Sequence, residues 1–153
     1  MADVHALHAP TEVARRLRPV LLKLNRELRR ETAAFGVTAY QAALLNMIRK
    51  SPGIGVRKLA SRERIAPASM SVAVARLEKA GFVRRTDDPL DRRRQALWVT
   101  ESGDRILRTV RTRRTAWLAA RLNRLPPEKL EAVLDAIEPL EDLLEEEEEE
   151  ERL

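Results

Sequence analysis

The amino-acid sequence predicts a mainly α-helical protein with one short β-hairpin, in which longer helices flank a small helical centre. Three observations carry this. Apolar residues recur at spacings of three and four through most of the chain, the period that gathers them on one face of an α-helix. Residues 81–83 and 96–99 are instead short β-prone runs, joined through Asp88-Pro89. That pair is turn chemistry, because proline presets φ and aspartate can bond its own backbone. Glycine and proline also fall where helices should stop or start, at Gly36, Pro52-Gly53, Pro67, Gly81 and Pro126-Pro127.

Taken in order, Val13, Leu17, Leu21, Leu24 and Leu28 form an apolar stripe on a first helix over residues 11–34, with a kink or break predicted near Arg18 by Pro19. Thr38 and Gln41 have the spacing of a capping box and open a helix carrying Leu44, Leu45 and Ile48. A short basic helix follows at residues 56–62, with Leu59 and Ala60 as its inner side. After the turn at residues 63–66, Pro67 suits the first position of the next helix, which should close at Gly81 as its C′ residue. On that helix Met70, Ala73, Val74 and Leu77 should pack inward, leaving Ala68, Ser69, Ser71, Val72, Ala75 and Arg76 outward. Thr100 is an N-cap by type for a helix with Ile106, Leu107, Val110, Trp117, Leu118 and Leu122. A last helix is expected to carry Leu130, Val133, Leu134, Ile137, Leu140 and Leu144 as one near-heptad stripe despite Pro139. Such a stripe asks for a partner surface.

Composition narrows the function. The 153 residues include no cysteine, which excludes disulfides, thiolate metal sites and thiol redox sensing. The two histidines, His5 and His8, are too few for a metal centre, and neither metal nor cofactor is expected. Catalysis would need a nucleophile beside a base, paired carboxylates or a glycine-rich phosphate loop, and nothing of the kind converges, so an enzyme is not expected. No run approaches the ~18 apolar residues of a membrane span, and residues 1–11 lack the order of a signal peptide; a cytoplasmic protein with no membrane partner is expected. The formal charge of +5 is unevenly spread. Residues 141–153 hold nine acids against Arg152, whereas residues 1–140 carry +13. A basic body of this kind points to a polyanion. The run Glu145 to Glu151 is either a solvated like-charge end or a segment that folds back on the basic face.

Short helix, turn, second helix and basic-tipped hairpin is the order of a winged helix-turn-helix. The tip, Asp88-Pro89-Leu90-Asp91-Arg92-Arg93-Arg94-Gln95, offers three consecutive guanidiniums with Asp91 able to grip one. Such a tip suits the electronegative minor groove of DNA. From here the chain resembles the MarR family of bacterial transcriptional regulators over residues 38–103. The match is carried by the Ala60 to Leu77 region, Leu77-Glu78-Lys79-Ala80-Gly81, the wing Asp88-Pro89-Leu90-Asp91-Arg92-Arg93, and Val99-Thr100-Glu101-Ser102-Gly103.

The resemblance implies a single domain over residues 1–153. Dimerisation helices would occupy 11–34 and 101–144, the DNA-binding lobe 38–100 and an acidic tail 145–153. It implies a homodimer on a pseudo-palindromic operator in double-stranded DNA, acting as a repressor released by a small-molecule effector. Carried over by position, Ser69 and Ser71 face DNA, Arg93 is the wing arginine with Arg92 and Arg94 beside it, and Asp91 is its support. Val72 lies on the same outward face; Arg57, Lys58 and Arg76 are phosphate contacts by charge and placement. Sequence-independent DNA packaging and a winged-helix module for protein contact are the rival readings. The specificity ratio at fixed salt separates the first from a regulator, and the second has no need of wing arginines.

Overall fold

The computed structural model describes residues 10–87 and 94–150, with side chains through Leu144. Along the chain run α1 (Pro10–Ala33), α2 (Ala39–Lys50), β1 (Ile54–Gly55), α3 (Val56–Arg62), α4 (Pro67–Lys79), β2 (Val83–Asp87), β3 (Gln95–Val99), α5 (Glu101–Leu122), α6 (Pro127–Asp135) and α7 (Ile137–Glu150). They divide between two compact units, residues 1–114 and 115–153. The fold is the expected one, mainly helical with a small antiparallel sheet.

The first unit is built around Leu44, Leu45 and Ile48 of α2, Leu59 of α3, Met70, Val74 and Leu77 of α4, and Val83 and Leu97 of the sheet, all buried. The inward face expected for α4 is therefore the one found, with Ala73 half-buried beside it. Strand order is β1-β3-β2. In the hairpin Val83 pairs with Val99 and Asp87 with Gln95, while Ile54 and Gly55 pair with Leu97 and Ala96. The strand β1 was not expected, since two residues carry no period. The hairpin also begins at Val83 rather than Gly81, because Gly81 and Phe82 are occupied in closing α4. Gly81, at φ +78°, donates to the Glu78 carbonyl at 2.9 Å and Phe82 to that of Leu77 at 3.0 Å, the two bonds of a Schellman motif.

Local signals elsewhere hold. The Thr38 hydroxyl accepts the Gln41 amide at 3.0 Å, and the Gln41 side chain accepts the Thr38 amide at 2.9 Å. Thr100 caps α5 by accepting the Gly103 amide at 3.1 Å, and its hydroxyl donates to the Gly81 carbonyl at 2.6 Å. Its own amide donates to the Phe82 carbonyl at 2.9 Å. Gly103 is buried at an approach so close that a side chain there would meet the Phe82 carbonyl oxygen and stand 2.7 Å from Val99 Cγ1.

Two helical expectations are corrected. Of the kink or break expected near Arg18, the break does not occur: α1 runs through Pro19, where proline deletes one backbone donor and leaves the rest of the ladder in place. The near-heptad stripe, conversely, lies on two helices separated at Ala136. The first helix ends at Asp135 and the next starts at Ile137, and the Asp135 carbonyl is the one that Pro139, lacking an amide, leaves without its i+4 donor. No residue of α6 is buried, and Leu134 remains 65 % exposed. The α1 stripe is likewise open at Val13, Leu21 and Leu24.

Two arginines of α5, Arg113 and Arg114, tie it to α1. The fully buried Thr32 accepts from Arg114 Nη2 at 2.6 Å and Nε at 3.1 Å, and Arg113 pairs with Glu31 at 3.1 Å. Burial first, and then the charge of Arg29, lower the Arg114 pKa.

Candidate nucleic-acid interface

The interface begins with the turn between α3 and α4. The amide of Ile65 donates to the Ala60 carbonyl at 3.0 Å and that of Arg64 to the Ser61 carbonyl at 3.1 Å. These are again the bonds of a Schellman motif, here with Arg64 at φ +52° where glycine is usual. Pro67 at the start of α4 lets the new helix begin immediately, since its missing amide is one that a helix cannot bond internally. The two helices therefore meet at a fixed corner over Leu59, Met70 and Val74.

Beside that corner lies an open cleft of about 1360 Å³, bounded by α3, the start of α4 and the loop-side half of the hairpin. Its charged lining residues are Arg57, Lys58, Arg62, Arg85 and Arg94, with no acid among the lining residues. Ser71, Pro67 and Ala68 form the wall on the α4 side. A concave surface of one sign focuses field lines and concentrates polyanions. The helix α4 turns Ser69, Val72, Ala75 and Arg76 to solvent as well.

The structure thus brings Arg57, Lys58, Ser71 and Arg94 together in one cleft and leaves Ser69, Val72 and Arg76 exposed on the adjoining helix. Asp91, Arg92 and Arg93 lie outside the described residues. Sequence reasoning missed Arg62 and Arg85. Arg62 was legible, being four residues from Lys58 and so on the same helical face. Its Nη1 donates to Ser51 Oγ at 2.8 Å, which holds it over the cleft. Arg85 gave no signal, because its role depends on pairing: it binds Glu78 at 3.0 Å and Gln95 at 3.2 Å, bracing the hairpin against α4. The hairpin is stiffened further by Trp98, which donates to Thr86 at 2.8 Å and lies under the Arg84 guanidinium, 5.5 Å from the ring centroid.

A second hollow, of about 560 Å³, opens between the end of α1 and the start of α2. Leu22, Arg26, Arg29, Arg30 and Thr38 line it. Among the described residues no group of histidine, aspartate and glutamate side chains is placed to hold a metal, and no helix is long and apolar enough to cross a membrane.

Comparison with known proteins agrees with this geometry. The model of the MarR family matches residues 37–94, from the start of α2 into the wing. An HTH-type transcriptional regulator of Mycobacterium tuberculosis is 33 % identical over 116 residues, 76 % of this chain and 81 % of that protein. The HTH-type transcriptional repressor MdtR of Bacillus subtilis is 28 % identical, with 74 % of each chain covered. Among solved structures, the transcriptional regulator Tm0710 from Thermotoga maritima superposes with a TM-score of 0.75 at 28 % identity, covering 90 % of this chain and 96 % of that one. The helical corner, the basic cleft and the braced hairpin belong to a DNA-binding transcriptional regulator, not an enzyme, and this chain is a member of the MarR family.

Proposed function

We propose that the whole chain works as one MarR-like domain: a cytoplasmic, homodimeric repressor that binds a pseudo-palindromic operator in double-stranded DNA and is released by a small-molecule effector. The basic, acid-free cleft beside the outward face of α4 is the observation that carries it. In this reading α4 enters the major groove with Ser69, Ser71, Val72 and Arg76. Arg57 and Lys58 hold phosphates, and the wing puts Arg92, Arg93 and Arg94 to the minor groove with Asp91 in support. Repression is favoured because one relative is named a repressor. A two-fold dimer is supported by the open apolar residues of α1, α6 and α7; it would set two recognition helices about one DNA turn, roughly 34 Å, apart. The arginine-lined hollow between α1 and α2 suits an effector that joins a negative charge to an apolar body.

Selection of bound fragments from the source genome by the purified protein tests this reading. A single enriched inverted repeat is expected. Equal affinity for selected and random DNA at matched salt would instead mark a sequence-independent packaging protein. With the operator in hand, Arg57→Ala should weaken binding to all sequences alike and reduce the salt slope by about 1, the signature of a lost phosphate contact. Arg93→Ala should weaken operator binding by roughly 1–3 kcal/mol, the range for a groove contact, with an unchanged melting curve. Operator affinity equal to the wild type would remove Arg93 from the interface.

A further inference from the structure

Beyond α1 and Tyr40, the large apolar side chains of the first unit are accounted for by packing with one exception among the described residues. Among the described residues from Gln41 to Arg114, Val72 is the one large apolar side chain that is exposed, at 54 %. Its position is specific. On α4 the buried residues Met70, Val74 and Leu77 define the inner face. A period of 3.6 residues sets Val72 opposite them, in line with Ala68 one turn before and with Ala75 and Arg76 one turn after. Ala68 is also part of the cleft wall, as is Ser71 next to Val72 in sequence. An isopropyl group therefore stands on the crest of the helix, between alanines too small to hide it and beside a cleft lined with cations.

Water gives no reason to keep a branched apolar residue there, and the helix itself favours alanine over valine. In the major groove, thymine presents an apolar group, its C5 methyl, and an apolar side chain is its natural complement. Serine hydroxyls beside it can bond to any base and discriminate little. We infer that Val72 is a specificity-determining residue that recognises a thymine methyl at one position of each operator half-site. This rests on the DNA-reading role proposed above for α4 and adds a named base contact to it.

Uracil supplies the test, since it keeps every hydrogen-bonding edge of thymine and lacks only the methyl. In the selected operator each thymine of a half-site is replaced singly by deoxyuridine, and affinity is measured for the full-length protein and for Val72→Ala. Being exposed, Val72 can be shortened without opening a cavity, and a thermal melt of the variant confirms that the lobe is intact. One position is expected to lose about four-fold in affinity, the worth of one buried methyl. Substituting both half-sites should lose roughly the square of that. For Val72→Ala, operators with thymine and uracil at that position should bind equally. The inference is overturned if the half-site contains no thymine, if no replacement costs affinity, or if the cost persists in Val72→Ala. A protein that enriches no sequence at all overturns the regulator reading and this one with it, whereas a selected operator indifferent to uracil overturns this one alone.

Discussion

Replacing Leu134 and Ile137 together by glutamate is expected to leave the protein monomeric or insoluble. In the single chain Leu134 is 65 % and Ile137 46 % exposed, on the last residues of α6 and the first of α7. Around them Leu130, Val133, Leu143 and Leu144 are open as well. That is more contiguous apolar surface than a solitary helix end normally shows to water. If a second copy covers it, each of the two side chains gains roughly 1–2 kcal/mol, about half to two thirds of the value for full burial. Two carboxylates in their place add the cost of burying unpaired charge. Because the two-fold axis would double every such loss, the pair of substitutions acts on a dimer four times over. Sedimentation of both proteins at micromolar concentration decides the matter; a wild-type chain that sediments as a monomer would remove the dimer and the palindromic operator together.

Gly103→Ala should be the most damaging single methyl in the first unit. At this position α5 lies directly on the end of α4, and a Cβ would collide with the Phe82 carbonyl oxygen while also crowding Val99 Cγ1 at 2.7 Å. Neither neighbour can yield cheaply. The Phe82 carbonyl accepts the Thr100 amide, and Val99 is paired with Val83 in the sheet. Overpacking of this kind costs ~1–3 kcal/mol and more against backbone. In a chain of this length each kcal/mol lowers the melting temperature by roughly 2–4 °C. Thermal denaturation followed by circular dichroism reads the effect, and an unchanged transition would mean that α5 can slide away from Phe82 at no cost.

What the sequence disclosed and what it hid follow from how far each interaction reaches. The capping box of Thr38 and Gln41, the N-cap at Thr100 and the helix end at Gly81 involve neighbours within a few residues, so their chemistry was visible as spelling. The inward face of α4 was visible as period. The strand β1 was invisible because Ile54 and Gly55 become a strand only by pairing with Leu97 and Ala96. The break at Ala136 was masked by an apolar stripe that continues across it. The Arg114 tie joins residues 82 apart in the chain, and nothing near either partner announces it. In the candidate interface, Arg57, Lys58 and Ser71 were legible from charge and face. Arg85 was not, since its place in the cleft is set by Glu78 and Gln95.

Thr100 has a mechanical consequence. Through one residue, α5 grips both the closing turn of α4, by the Gly81 carbonyl, and the entry to the wing, by the Phe82 carbonyl. The two parts that would touch adjacent grooves of DNA thus hang from a single bracket, with Glu78 and Arg85 as a second strut between them. The end of α4 and the strands at the foot of the wing are coupled through shared bonds, like two wheels on one axle. In the function proposed above, a signal that acted by moving α5 would steer this axle and carry both readers with it.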